Sequence, residues 1–276
     1  MHPDSPRLIL TRPHPENDPW LAALTGWGGR AVAWPLIDIE PAPLEPDLLG
    51  PLWPTLSEFQ AVMFVSRSAV QHFFARRPPG VAWPSPTRAW CTGPGTRRSL
   101  VEQGLEISSI DAPPSGSTWD TEHLWPVVAS QVVPGHRFLF VRGTDGSAAH
   151  VRGPDPASPP SSPDAGVGRD WLAQHVLRSG GQITWAVSYV RAQPRWDDRQ
   201  TALARSAAND GSVWVFSSSQ AVQHLQRLMP DQDWRGGRAV ATHARIAQKA
   251  LDLGFGHVLT SQPDPEQVWG SLKSFP

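Results

Sequence analysis

The chain has 276 residues, 39% apolar and 18% charged, which suits one large domain or two ordinary ones and excludes a disordered chain. Its 24 Lys and Arg against 25 Asp and Glu leave a formal charge of −1, without the field that a nucleic-acid or anionic-membrane binder carries. The single cysteine, Cys91, excludes an internal disulfide framework and a multi-cysteine metal site.

Only Lys249 and Lys273 are lysines, and neither stands in the Gly-Lys-Ser/Thr triplet of a phosphate-binding Walker loop. Residues Met1 to Arg12 lack the basic and then apolar pattern of a signal peptide. Apolar runs reach only about five residues, against the roughly 18 a membrane span needs. The expectation is a soluble protein of the reducing cytosol.

In chain order, Leu8–Leu10 reads as a buried strand with Thr11 and Arg12 at its carboxyl end. A helix start at Trp20–Ala22, a Gly28–Gly29 pair and a strand carrying Trp34 follow. Prolines cluster at 41–54 and 78–86, where the chain turns. Ala61–Val65 is the next strand, then Ser66, Arg67, Ser68 and a helix over Ala69–Ala75. Cys91-Thr92-Gly93-Pro94-Gly95-Thr96 opens a helix over Thr96–Gln103, and Gly104 sits where a left-handed cap belongs. Phe138–Val141 is a strand ending in Arg142 and Gly143. Arg152 to Arg169 has almost no apolar content and reads as a mobile surface loop. A helix start at Trp171–Ala173, a Gly180–Gly181 pair and a strand with Trp185 and the only tyrosine, Tyr189, come next. Val213–Phe216 leads into Ser217, Ser218 and Ser219; Thr242, His243, Ala244 and Arg245 open a last helix, Ala244–Leu253, capped at Gly254. Trp34, Trp90, Trp185 and Trp214 lie in apolar patterns and read as core and sheet-face packing.

The order repeats itself. Residues 61–73 and 213–225 share six of thirteen residues at a shift of 152; 88–105 faces 238–255 at a shift of 150; and 8–13 echoes 138–143. A unit of roughly 100–110 residues therefore occurs twice, a duplicated domain rather than a solenoid. Alternating strands and helices predict two open, doubly wound parallel sheets, which bind ligands at the carboxyl ends of their strands.

The candidate site residues are those at the strand ends and helix starts: Thr11, Arg12, Ser66, Ser68, Gly93, Thr96, Arg142, Gly143, Ser217, Ser218, Ser219, Thr242, His243 and Arg245. Each alone reads as an ordinary helix cap. Repeated in both lobes and facing a shared cleft, they favour a polar or polyanionic small ligand. No GxGxxG, HExxH or GxSxG motif is present, so dinucleotide, zincin and serine-hydrolase chemistries lack their signatures. Tyr189 by itself reads first as a packing residue, although its place at a lobe boundary favours a role.

The succession LILTRP, PLIDIEP, AVMFVSRSAV, CTGPGTRRSLVEQGL, FLFVRG, SYVR, VFSSSQAVQHL and ARIAQKALDLGF resembles the uroporphyrinogen-III synthase family over nearly the whole chain, outside 152–169 and the proline-rich stretches. The resemblance implies an α/β fold of two interleaved doubly wound parallel-sheet lobes joined by a two-stranded linker. Lobe 1 is then about 1–38 plus 195–276, lobe 2 about 42–188, and the linker strands 37–41 and 189–194. Periodicity alone suggests a cut near residue 130.

The same resemblance implies a cofactor-independent hydro-lyase. It closes the linear tetrapyrrole hydroxymethylbilane into uroporphyrinogen III with loss of water, through an azafulvene cation and a spiro intermediate that inverts ring D. Tyr189 matches the family tyrosine that assists departure of the hydroxyl; Ser66, Ser68, Thr96, Arg142, Ser217 and Ser218 match its cleft-lining turns. Ile246 stands where many members place a threonine, with Thr242, His243 and Arg245 nearby. A cytoplasmic monomer without metal, nucleic-acid or membrane partners is expected; a transient contact with the upstream hydroxymethylbilane synthase is left open. The rival readings are a two-lobed binding protein for an acidic metabolite and a two-lobed glycosyltransferase.

Overall fold

The computed structural model describes residues 6–14, 16–42, 47–145 and 167–275, the first four of the last stretch for their backbone alone. The first half runs β1 (Arg7–Leu10), α1 (Asp18–Gly26), β2 (Arg30–Ala33), β3 (Asp38–Pro41), β4 (Ala61–Phe64), α2 (Arg67–Phe74), β5 (Arg88–Cys91), α3 (Pro94–Glu102), β6 (Ile110–Asp111) and α4 (Thr121–Val128). The second half runs β7 (Arg137–Asp145), α5 (Val167–Arg178), β8 (Gln182–Ala192), α6 (Asp198–Ala207), β9 (Val213–Phe216), α7 (Ser219–Leu228), β10 (Arg238–Ala241), α8 (Ala244–Leu253), β11 (His257–Thr260) and α9 (Pro265–Ser271).

The strands form two sheets, ordered β11-β10-β9-β1-β2 and β3-β8-β7-β4-β5-β6. Every pair in the first sheet is parallel, as is every pair from β8 to β6 in the second. The central strands β4 and β9 are buried at all four positions, because helices cover both faces of a parallel sheet. Alternation then sorts β1: Leu8 and Leu10 pack with Val213 and Val215 on one face, Ile9 with Trp214 and Phe216 on the other. Trp90 and Trp214 are fully buried, as their patterns predict.

The chain divides into two compact units, Met1–Ile39 with Ala192–Pro276, and Glu40–Arg191. It passes from one to the other within β3 and within β8, which are neighbours in the second sheet. Tyr189 lies in the part of β8 still paired with β7.

The duplication reaches individual hydrogen bonds. Gly28 and Gly180 both take φ 84°, and the amides of Gly29 and Gly181 both return to a carbonyl five residues back, Leu24 and Val176. Gly104 and Gly254 take φ 93° and 106°, the left-handed conformation that ends α3 and α8.

Residues 152–166 of the expected loop lie outside the described residues. Val167–Arg169 belong instead to α5, so that helix begins earlier than the apolar pattern suggests. Among the described residues no helix is long and apolar enough to cross a membrane.

Candidate active site

A doubly wound sheet opens a crevice where its winding reverses. In the second sheet the chain runs β4 to β5 to β6 in one direction and β7 to β8 in the other, so the reversal falls between β4 and β7. The turn after β4 is Ser66. Its extended backbone ends the strand, and its Oγ accepts from the Ala69 amide at 3.1 Å, capping α2. The same oxygen lies 3.1 Å from the hydroxyl of Tyr189.

An irregularity in β8 delivers the tyrosine. Arg142 of β7 pairs with Val187, but Gly143 pairs with Tyr189, so Ser188 is an extra residue, a β-bulge. The bulge resets the alternation of β8 and places Tyr189 directly beside Gly143. A Cβ on Gly143 would lie 2.3 Å from two carbons of the phenol ring. The glycine is a notch cut for that ring. Tyr189 is buried to 3% exposure, which keeps bulk water from most of the phenol, whereas Ser66 is half-buried.

Three further groups surround Tyr189. The His72 ring lies 6.0 Å away at 28°, and burial, with Arg76 nearby, lowers its pKa. Arg191, two residues along β8, donates from Nε to Asp145 at 2.6 Å. Burial works against the Arg191 charge, yet attraction to Tyr189 and Asp145 raises its pKa overall. The sequence reading passed over His72, Asp145, Ser188 and Arg191. The period of two from Tyr189 to Arg191 was the available signal.

The other expected residues of this unit take separate positions. Gly93 caps α3 and Thr96 is buried in its first turn; Ser68 is buried in the first turn of α2. Arg142 lies over the Trp185 ring at 4.8 Å, on the opposite face of β7 from the Gly143 notch. It is not brought to Tyr189.

In the other unit Thr11 is buried and its Oγ1 donates to the Val215 carbonyl at 2.7 Å, so its hydroxyl is spent inside the sheet. Thr11→Val is therefore expected to cost about 1 kcal/mol of stability in urea denaturation, with KM unchanged; a raised KM would return the hydroxyl to the substrate. Arg12 packs over Trp20 at 4.6 Å, burial lowers its pKa, and its Nε has no hydrogen-bond partner among the described residues. Ser217 is half-buried, Ser218 caps α7 through the Gln220 amide, and Ser219 is buried. Thr242 is half-buried; His243 and Arg245 are exposed, and His243 caps α8 by accepting the Arg245 amide at its Nδ1. Ile246 is a core residue. Ser218 matches Ser66 in the repeat, but the only tyrosine stands beside Ser66.

Burial pushes the Cys91 thiol up to about 12, which removes it as a nucleophile. Among the described residues no three His, Cys, Asp or Glu side chains converge as a metal ion would need.

An Escherichia coli protein named uroporphyrinogen-III synthase is 22% identical over 262 residues, 90% of this chain and 92% of that one. A family model described as uroporphyrinogen-III synthase HemD matches residues 18–153. The chain is similar to the uroporphyrinogen-III synthase family. A member from Chlorobaculum parvum is 28% identical over 141 residues, covering 50% of this chain and 53% of its own, so that match spans about half of the relative. The fold agrees: uroporphyrinogen-III synthetase from Helicobacter pylori superposes with a TM-score of 0.59 at 14% identity, covering 98% of this chain and 99% of that one. The Thermus thermophilus enzyme gives 0.51 at 11% identity, with 98% of each chain covered. The expected two-sheet α/β fold and the family resemblance therefore hold.

Proposed function

We propose that this chain is a cofactor-independent lyase that closes hydroxymethylbilane to uroporphyrinogen III, and that Tyr189 supplies the proton for the departing hydroxyl. The contact of Tyr189 with Ser66 at the reversal of the second sheet carries the reading.

A phenol at 3% exposure is poorly placed to meet a large tetrapyrrole, whereas half-buried Ser66 can. Ser66 Oγ accepts from the Ala69 amide. If Tyr189 donates to the same oxygen, the serine hydrogen is left to point outward at the leaving hydroxyl. The C–O bond breaks with its electron pair on oxygen. Ser66 gives that oxygen its proton, Tyr189 replaces it, and water departs. The phenolate regains a proton when the ring-D pyrrole carbon loses one after closure. The balance needs no other reactant. The carboxylates of the substrate suit the helix N-termini at the strand ends, where backbone N–H groups and the helix dipole attract anions without a large net charge. Holding the chain ends together supplies a proximity effect worth several kcal/mol.

Ser66→Ala removes both the cap and the outward donor, so about 1 kcal/mol of stability and about 10²-fold in kcat should be lost. Ser218→Ala removes only a cap, so melting and substrate affinity fall while kcat stays within about twofold. Equal kcat losses in the two variants would remove Ser66 from the proton path.

The protein is taken to act as a cytoplasmic monomer, with a transient contact to the upstream synthase left open. Incubation with hydroxymethylbilane, followed by separation of the type I and type III isomers, tests the function. Faster formation of type III is expected. Spontaneous type I alone would leave a binding protein, or a glycosyltransferase, as the better reading.

A further inference from the structure

We infer that Arg12, at the carboxyl end of β1, is a carboxylate-binding residue of the first unit, and that its ligand is an acidic side arm of the tetrapyrrole. The identity of the ligand rests on the proposed function; the anion site rests on geometry.

In the first sheet the chain runs β1 to β2 in one direction and β9 to β10 to β11 in the other, so its winding reverses between β1 and β9. That is where a doubly wound sheet takes its ligand. Arg12 follows Thr11, whose amide and hydroxyl both bond the Val215 carbonyl of β9. Asn17, fully buried, donates from Nδ2 to the carbonyls of Leu10 at 3.3 Å and Arg12 at 2.6 Å, which fixes the backbone from which the arginine projects.

The side chain is the anomaly. Trp20 covers one face of the guanidinium at 4.6 Å, and Nε is sealed from solvent without a partner. Among the described residues Arg12 makes no hydrogen bond and no ion pair; exposed Glu16 attracts the charge without bonding it. Arg191, likewise enclosed, holds Asp145 at 2.6 Å. A cation taken out of water is normally paired in this way, because its desolvation is otherwise uncompensated. A ring against one face leaves the in-plane N–H groups of the terminal nitrogens, and their fork matches a carboxylate.

The duplication points the same way. Arg142 stands at the matching place in 138–143 and also lies over an indole, Trp185 at 4.8 Å. The two indoles are not equivalent in the repeat, where Trp20 matches Trp171 and Trp34 matches Trp185. Trp171 stacks on His175, and Trp34 packs on Trp196 and Trp214. A packing contact passed on unchanged would keep its own partner. Here the arginine is kept while the ring beneath it differs, as expected of a guanidinium held for what it binds.

Uroporphyrin I, the closed oxidised ring with the acidic arms of the substrate, is the probe. It should raise the melting temperature of wild type, and the rise should shrink with added salt. Arg12→Met, which keeps an unbranched stem on Trp20, and Arg12→Gln should each lose most of the rise. Arg12→Lys, a point charge without the fork, should keep part of it. Arg235→Gln, which removes an exposed arginine paired with Asp233, should keep it whole. With hydroxymethylbilane, Arg12→Met should raise KM about 10-fold and leave kcat within about twofold. A purely structural role would instead lower the melting temperature without ligand and leave both the rise and KM as in wild type. An undiminished rise in Arg12→Met overturns the inference, as does a rise lost equally in Arg235→Gln or absent from wild type. Should Arg12→Met fail to fold, Arg12→Gln and Arg12→Lys decide by the same measure. Absence of isomer III from wild type would overturn the proposed function, while the porphyrin measurement would still decide whether Arg12 is an anion site.

Discussion

Tyr189→Phe is expected to lower kcat by about 10²-fold and leave KM within about twofold. Phenylalanine keeps the ring in the Gly143 notch and beside His72, so packing survives and only the hydroxyl is lost. Ser66 stays satisfied by the Ala69 amide, so no buried group is stranded. What disappears is the proton source behind the serine. General acids contribute about 10²–10⁴-fold, and a phenol of pKa about 10 belongs at the lower end. Because linear tetrapyrrole also closes without inversion in solution, the isomer ratio should drift toward type I as the enzyme slows. The rate of isomer III formation, with a melting curve to confirm folding, checks this. Wild-type turnover in a folded Tyr189→Phe protein would take the tyrosine out of the mechanism.

What the chain displays locally, its sequence makes legible. The 150-residue register between 88–105 and 238–255 reappears as β5 with α3 and β10 with α8, because each strand, turn and helix start is encoded within a few residues. Gly104 and Gly254 end those helices for the same local reason. What depends on a neighbouring strand stayed hidden. The apolar pattern of β8 gives no sign that Ser188 is the unpaired residue, since the hydrogen bonds of β7 decide it. Thr11 looks like a strand-end hydroxyl, yet it donates its hydrogen bond to the Val215 carbonyl of β9. His72 and His224 occupy the same place in AVQHF and AVQHL, but one lies on Tyr189 and the other bonds the Leu36 carbonyl at 2.6 Å. Periodicity suggests a cut near residue 130, whereas the units divide at 39/40 and 191/192, because long-range strand pairing, not repeat length, joins the first segment to the last.

Gly143→Ala should reduce kcat by about 10²-fold and cost about 1–3 kcal/mol of stability. In an ordinary strand this substitution gains stability, since glycine loses more freedom on folding than alanine. Here the new methyl would meet two ring carbons at 2.3 Å, so the phenol must retreat by about 1 Å to reach normal contact. That retreat is about what separates a hydrogen bond to Ser66 from none, and a 1 Å misplacement can cost 10²-fold in rate. A double-mutant cycle separates the causes. In a Tyr189→Ala background the clash is gone, and Gly143→Ala should be neutral or slightly stabilising. In a Tyr189→Phe background the ring remains, so the stability penalty should persist while the further loss of kcat vanishes. Urea denaturation and isomer III formation measured across the four proteins of each cycle give both quantities. A Gly143→Ala protein as stable and active as wild type would show that β7 yields easily here, and that the notch does not hold the tyrosine against Ser66.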